Sequence, residues 1–590
     1  MKDAASLLQE AQIELHYSYE VPDNVIQAFM DADTIYFDTE TTGLSPWRSE
    51  LALIQMYDPK SQYVLLCRIN ENWIPEQWIM KLFSQGKLFI GHNIASFDIP
   101  FIAVAGLPWE KSRYYDTLIG ETVCATSTRS DISKSLRASV KRRVGLEVNK
   151  DIEHGGWRNT SLREDQIRYA AIDVLVLPDL YEAQLERAAD SKQANALNME
   201  MEVLPVFASM TINGLPINQD MLSKYMDDQM TKMKKAQVIL ERKLGRINYN
   251  SPVQVKKALH DIGIEVESTS KNTLLDIIEF DPESQTAELL DALLAWRKPS
   301  KRTAMYGSED WQKIHIQPDG RIHARFWQVG ADTTRVSSSD PNLQQVPKDG
   351  RFIFGSLPGY KIVSVDYSQI EVRIAAAISH DIELMRVLTE DDVHRAVAAS
   401  VFKKNPENIS KEERKLAKAM VFALLFGGGP ARFYEHAKHS GSKMTQDDAL
   451  EMFRAFFAAF TGLWDMRCKA YALCRNNRVL SITLPNGARR VLVGAKKSPT
   501  VVLNTPVQGT AAVGMKLGLI EAHKRGLSKY IGAVVHDEAV STVPANEAEE
   551  YAKEMQDALI TGMSTVVGGV KILAEIARNP DKSLPDIWLP

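Results

Sequence analysis

Hydrophobic positions change period several times along the chain, and each change predicts a different element. Residues 34–40, TIYFDTE, form a short apolar run rich in β-formers. LALIQMY (51–57), YVLLC (63–67) and KLFIGHN (87–93) repeat that pattern, which predicts a mixed sheet with helical crossovers near the N-terminus. From Ser161 to about Leu177 the period turns helical. Ser161 and Glu164 have capping-box spacing there, so Tyr169 and Asp173 are expected on one face of one helix. Residues 182–240 continue in helical pattern, broken by a turn at NGLPIN (213–218). Amphipathic stretches over 225–310, separated by NYNSPVQ (248–254), predict a helical subdomain, and a boundary between a first domain and the rest is expected at 185–200. The absence of a Gly/Ser tether and of internal repeats predicts structured junctions.

Farther along, YKIVSVDY (360–367) predicts a buried strand ending at a carboxylate. IGAVVHDEAV (531–540) predicts a hairpin with His536, Asp537 and Glu538 near its turn. If the two pair, a helical insert must lie between them. Ser410 and Glu413 supply a second capping box, opening a helix through about Leu425. Along it Arg414, Lys418, Phe422 and Phe426 recur every fourth residue, a stripe cationic in its first half and aromatic in its second.

Composition narrows the class. A length of 590 residues exceeds what one core fills and leads to an expectation of about four folding units. With 45% hydrophobic and 25% charged residues and no apolar stretch of about 20, the chain reads as soluble, with no membrane partner. The N-terminus lacks a secretory pattern, and the four cysteines lack paired CxxC spacing, which favours a reducing, cytoplasmic setting and argues against structural zinc. A formal charge of -5 does not exclude nucleic acid, because basic groups gather locally at Lys232/Lys234/Lys235, Arg297/Lys298/Lys301/Arg302, Arg489/Arg490 and Lys496/Lys497. Each cluster alone fits a solvated surface better than a phosphate groove.

Two sets of acids carry candidate chemistry. Asp38 and Glu40 alternate along a predicted strand and so point to one face. With Asp98 and Asp173 they supply oxygen ligands for two divalent cations suited to phosphodiester hydrolysis, and Tyr169 would orient the attacking water or the phosphate. A lone DxE would fit ordinary surface acids better. Asp366 and Asp537, at two predicted strand ends, are suited to holding Mg²⁺ for nucleotidyl transfer. Arg414 and Lys418 would take the triphosphate, and Phe422 would pack beside sugar and base.

DTETTG (38–43), HNIASFD (92–98) and GGWRNTSLREDQIRYAAIDV (155–174) resemble the proofreading exonuclease superfamily, which includes ribonuclease D, over about residues 34–185. TTRVSSSDPNLQQVP (333–347), VDYSQIEVRIAA (365–376), DDVHRAVAASVF (391–402), RKLAKAMVFALLFG (414–427), NTPVQGTAA (504–512) and VHDE (535–538) resemble the polymerase core of the DNA polymerase I family, also called family A, over roughly 195–590. The resemblance implies an α/β and α+β protein. A ribonuclease H-like exonuclease domain (1–190) would precede a right-hand polymerase (195–590) with thumb at about 200–310, palm at about 311–390 and 500–590, and fingers at about 391–499. It implies template-directed DNA synthesis from deoxynucleoside triphosphates with 3′-5′ proofreading, two Mg²⁺ ions per active site with Mn²⁺ as a substitute, and primer-template DNA as partner. The N-terminal 5′ nuclease of some relatives is expected to be absent. A monomer is expected, with a replication helicase or accessory factor as a further partner and no thioredoxin-binding insertion. The compact arrangement looks like a phage replicative enzyme, a bacterial or processed organellar one being the alternative.

By the same resemblance Asp366 and Asp537 bind the catalytic metals, Glu538 supports the second site and His536 contacts the primer terminus. Glu371 closes off the space a ribose 2′-hydroxyl would need. Gln369 and His394 join Arg414, Lys418, Phe422 and Phe426 around the nucleotide, Arg335 reaches the minor groove, and Asn504 and Gln508 touch template and primer. Departures from the family pattern are informative. Phe426 stands where Tyr is usual, so the hydroxyl that supports the sugar-gating Glu is missing, and discrimination is expected to weaken or to be restored by a neighbour. Ala423 and Thr334 each replace a usual Gly. Thr500 replaces a template-side Arg whose role would pass to Lys496 or Lys497. Phe422 lacks a hydroxyl that could replace the missing 3′-hydroxyl of a terminator, so strong rejection of dideoxynucleotides is expected. Three other readings remain at this point: a single-subunit RNA polymerase, which Glu371 and the exonuclease motifs oppose; a noncatalytic DNA-binding scaffold; and a nuclease whose C-terminal region only holds substrate.

Overall fold

The computed structural model describes residues 4–125, 132–148, 156–159, 161–439, 442, 444–494 and 497–589. Gly155 and Thr160 of the GGWRNTS motif, and Lys496, lie outside the described residues. The chain divides into two compact units, one formed by 1–214, 324–345 and 360–584, the other by 215–323, 346–359 and 585–590.

The N-terminal part of the first unit is built on a six-stranded mixed sheet of order β1-β4-β3-β2-β5-β6. Its strands are β1 (Gln12–Tyr17), β2 (Thr34–Thr41), β3 (Leu51–Asp58), β4 (Tyr63–Arg68), β5 (Leu88–Gly91) and β6 (Arg113–Asp116). An antiparallel meander β2–β3–β4 forms the middle, β1 joins β4 in parallel, and β5 and β6 extend β2 in parallel. All eight residues of β3 are buried, which explains an apolar run without alternation: both of its faces are covered. Phe83 and Phe89 stack at 4.5 Å with Phe37 edge-on to both, and each such buried ring stabilises the fold by about 1.5–3 kcal/mol. The four strands expected from the pattern are present. The outer strands β1 and β6 were not expected, being partly charged (QIELHY) or only four residues long (RYYD).

Among the helices of this part are α1 (Asp98–Val104), α2 (Thr117–Cys124), α3 (Glu164–Leu175) and α4 (Ala194–Asn213). The capping box expected at Ser161 is not used. Helix α3 begins at Glu164, and the Arg163 backbone N–H donates to Gln166 Oε1 at 3.0 Å instead. Glu164 and Asp165 thereby sit in the first turn, where carboxylates favour the positive end of the helix dipole.

In the second unit α5 (Gln219–Leu244) and α6 (Gln285–Tyr306) pack around a core of Leu240, Leu244, Leu289, Leu290 and Leu293. Asp349 ties in the 346–359 segment by accepting from Arg302.

The remainder of the first unit contains the pair β7 (Arg325–Trp327) and β8 (Ser337–Ser339), then β9 (Tyr360–Tyr367). A helical insert follows, which includes α7 (Ile370–Ser379), α8 (Val393–Phe402), α9 (Lys411–Leu424), α10 (Gln446–Ala459) and α11 (Thr461–Asn476). After the hairpin β10 (Val479–Thr483) and β11 (Arg489–Val493) comes α12 (Pro499–Lys524), then the hairpin β12 (Ile531–Val535) and β13 (Glu538–Pro544), α13 (Ala548–Ser564) and β14 (Ala574–Ile576). Strands β12-β13-β9-β14 form one antiparallel sheet, so the distant segments expected to pair do so, with the helical insert between them. Helices α12 and α13 cross where Gly562 faces Gly518, a contact so close that a Cβ on Gly562 would lie 2.1 Å from the Gly518 nitrogen. Tyr367 Oη donates to Leu559 O at 2.6 Å and pins the end of β9 beneath α13. Helix α4 meets α12 through a buried ion pair: Lys516 Nζ lies 2.5 Å from Glu200 Oε1, while Gln328 Nε2 donates to Glu200 Oε2 at 3.0 Å.

Candidate active sites

The pleat of β2 puts Asp38 and Glu40 on one face, and a bulge directly after Glu40 ends the regular ladder beside them. Helix α3 brings Asp173 to the same place, and carboxylate oxygens of Asp38, Glu40 and Asp173 lie within 4.8 Å of one another. Gln55, opposite Asp38 on β3, donates to Glu40 Oε1 at 3.4 Å. Tyr169, one helical turn before Asp173, is buried beside Trp157 with ring centroids 6.1 Å apart. Its hydroxyl bonds Asp173, and burial together with the charges of Asp173, Glu40 and Asp38 holds its proton far above the ordinary phenol range. Three carboxylates and a phenol that keeps its proton form an oxygen-rich donor set fitting hard divalent cations.

Asp98 departs from the expected foursome. It is buried at the start of α1 and accepts from Thr39 Oγ1 at 2.6 Å, and Thr39 leaves β2 on the face opposite Asp38 and Glu40. Burial, with Asp116 nearby, raises the Asp98 carboxyl well above the usual range. Asp116 caps α2 and accepts from the backbone N–H groups of Asn93, Ala95 and Leu118, thereby fixing the loop that leads to Asp98. Sequence reasoning passed over both Thr39 and Asp116. An acid directly before an apolar helix (Asp116-Thr117-Leu118) was the available signal for the second.

The second acidic centre forms where β9 meets the β12–β13 turn. Asp366 pairs with Glu538 across the ladder, and the Tyr367 N–H donates to Asp537 O at 3.2 Å. Asp366 and Asp537 thus sit side by side. Glu538 is buried and accepts from Ser364 Oγ. His536 turns the hairpin with φ 58 and is exposed. Burial pushes the Asp537 carboxyl up to about 6; Arg335 opposes that rise while Glu371 and Asp366 add to it. Arg335 is ion-paired with Glu371, which lies in the first turn of α7 just after Gln369, itself at φ 54. Thr334 also occupies the left-handed region at φ 63, which explains why Gly suits that position.

Helix α9 begins as expected. Ser410 Oγ accepts from the Glu413 N–H at 3.1 Å, and Glu413 reaches back to the Ser410 N–H at 2.9 Å. The helix ends at Leu424, however, so Phe426 is not its last stripe residue but part of the following turn, where its carbonyl accepts from Asn504 Nδ2 at 3.4 Å. Gly427, at φ 87, marks this break. Phe422 is 53% exposed and lies 6.5 Å from the His394 ring. Burial lowers the basicity of His394, and Lys418 and Arg414 lower it further. Arg414 is engaged by Asp392, Nε to Oδ2 at 2.7 Å, a partner the sequence reading missed although Asp392 is also the N-cap of α8. Asn504 and Gln508 share one face of α12, and Thr500 lies in its first turn.

Residues 219–578 match DNA polymerase family A, and residues 14–187 match the 3′-5′ exonuclease family. The chain belongs to DNA polymerase family A. It is 27% identical over 585 residues to the DNA polymerase I of Aquifex aeolicus, covering 94% of this chain and 96% of that one. The DNA polymerase I of Pseudomonas aeruginosa is 28% identical over 629 residues, covering 97% of this chain and 67% of its own. In fold, this family A polymerase is similar to the POL domain of Pol1 from M. smegmatis, solved in complex with DNA primer-template and dNTP. That match has a TM-score of 0.79 at 20% identity and covers 97% of this chain and all of that one. The family A polymerase is therefore a DNA polymerase I-like enzyme of template-directed DNA synthesis with a 3′-5′ exonuclease domain, and enzymes of both families generally use divalent metals. Among its described residues no helix is long and apolar enough to cross a membrane.

Proposed function

We propose that the chain extends a primer 3′ end by two-metal nucleotidyl transfer at Asp366 and Asp537 and excises mispaired 3′ nucleotides at Asp38, Glu40 and Asp173. The observation that carries this reading is the pairing of β9 with β13, which sets Asp366 beside Asp537 at one end of the sheet. Bound at either centre, Mg²⁺, with Mn²⁺ as substitute, supplies charge stabilisation to the attacking and leaving oxygens of a phosphoryl displacement. The protein's own groups do the rest. Asp366 and Asp537 hold the ions with Glu538 in support. Arg414, Lys418 and His394 face the triphosphate, which must draw Arg414 away from Asp392, and Phe422 and Phe426 flank the base with Gln369 near the sugar. Glu371 excludes a 2′-hydroxyl. Arg335, Asn504, Gln508 and His536 hold the primer-template, testing pair shape through the common minor-groove acceptors. In the nuclease centre Tyr169 orients the attacked phosphate, and Asp98 acts from behind the trio.

We further assign residues 1–190 to the exonuclease and 195–590 to the polymerase hand, with the α5/α6 pair as thumb and α8 to α11 within the fingers. We place it as a monomer working with a replication helicase or another accessory factor in phage DNA replication. A labelled primer-template assay with magnesium tests the central claim. Extension with the four deoxynucleotides and shortening without them are expected; preference for ribonucleotides, or shortening in both arms, would refute it.

A further inference from the structure

Helix α11 carries a stripe that the two active centres do not use. Leu463 and Ala470 are buried, with Met466 and Cys474 packed beside them, and this fixes the inner face of the helix. Next to it Trp464, Arg467, Tyr471 and Arg475 fall within about 80° of one another at 100° per residue, and Arg478 continues the line past the helix end. Trp464 is 42% exposed, Tyr471 is 44% exposed, and Arg475 and Arg478 are exposed as well. No acid of α11 joins the stripe, because Asp465 points about 100° away from Trp464.

The stripe is ordered rather than loose. Arg467 sits 5.3 Å from the Tyr471 ring centroid and 5.5 Å from that of Phe453 on α10, and its Nη2 donates to Tyr471 Oη at 3.3 Å. Trp464 packs on Phe457 at 5.3 Å. Arg467 Nη1 also donates to Gly428 O at 3.1 Å, which joins the stripe to the turn that follows α9 and contains Phe426. Asn504 of α12 bonds that same turn. Flat aromatic faces alternating with guanidinium groups are what unpaired bases and their phosphates recognise, whereas a duplex would offer the rings nothing to stack on.

On the reading that the chain copies primer-template DNA, we infer that this stripe holds the uncopied single-stranded template, which passes over the Gly428 turn and lays its bases on Tyr471 and Trp464. The two rings are about 11 Å apart along the helix, so successive parts of one strand reach both. The partner is defined by chemistry alone: single-stranded DNA of any sequence, bound with marked salt dependence.

Binding of recessed primer-templates, followed by fluorescence anisotropy, tests this. Wild-type protein should bind a template overhang of about twelve nucleotides about tenfold more tightly than one of about two. Tyr471→Ala and Arg475→Glu should each lose most of that gain while binding the short overhang as wild type does. Among the described residues Arg475 makes no ring contact, so its variant keeps the test open if Tyr471→Ala folds poorly. Equal wild-type affinity for both overhangs, or a gain that survives in both variants, overturns the inference; a face serving a protein partner would give that second result. Single-nucleotide extension on the short overhang is read in parallel. Its absence in wild type refutes the polymerase reading itself, whereas its presence without an overhang effect refutes only the template track.

Discussion

Asp38, Glu40 and Asp173 converge within one α/β layer, three carboxylates in mutual contact range with a buried phenol facing them. Asp366 and Asp537 meet differently. Their strands join the same ladder that lets Ser364 bond Glu538 at a separation of 174 residues, and the protein places its own cation, Arg335, against the group. The first centre concentrates negative charge that bound cations must relieve. In the second, part of that relief is already built in, and Arg335 divides its charge between Asp537 and Glu371. Nuclease chemistry should therefore turn on the carboxylates and the Tyr169 phenol, and synthesis on carboxylates together with a shared arginine.

The largest effect expected is a clean separation of the two centres. Asp38→Ala should slow release of 3′ mononucleotides about a thousandfold and leave primer extension intact, and Asp537→Asn should do the reverse. Loss of both activities in either variant, measured on one labelled primer, would break the comparison. Tyr169→Phe keeps the ring against Trp157 but removes the hydroxyl bonded to Asp173, so excision should fall about tenfold with extension unchanged.

A smaller effect sharpens the role of Arg335. Because Glu371 already has a guanidinium partner, restoring a hydroxyl with Phe426→Tyr should change deoxy-over-ribonucleotide selectivity by less than about threefold, whereas Arg335→Met should lower it about tenfold. Single-turnover incorporation of both nucleotide types by the two variants measures this, and a larger effect for Phe426→Tyr would contradict the compensation. Smallest is Thr334→Gly. A β-branched residue at φ 63 is strained, so the variant should gain about 1 kcal/mol in urea unfolding without altering excision.

Local pattern carried much of this molecule. The apolar runs of β2 to β5 and β9, the DxE alternation, and the Ser410 cap of α9 were all legible, because period and cap chemistry act over a few residues. What escaped depends on longer range. Strand β1 is visible only as a partner of β4, and β6 only as an addition to β5. The start of α3 was misplaced because Arg163, an unusual N-cap residue, takes that position, and its N–H is satisfied by Gln166 rather than through Ser161. Phe426 keeps the fourfold spacing of the α9 stripe, yet Gly427 ends the helix first. The Arg335–Glu371 pair joins two motifs that had each been given a separate duty toward DNA and sugar. No spacing rule connects them.

The charge locked between α4 and α12 bears on how such a protein can evolve. Glu200 and Lys516 both lie within the polymerase assignment, Glu200 just past the exonuclease assignment of 1–190, and neither side chain reaches water. A descendant cut back past Glu200 would leave an ammonium group stranded indoors, at a cost of about 3–5 kcal/mol. Editing can therefore be shed without unfolding what remains only where the cut keeps α4, or where residue 516 has first become apolar, most simply Met or Leu.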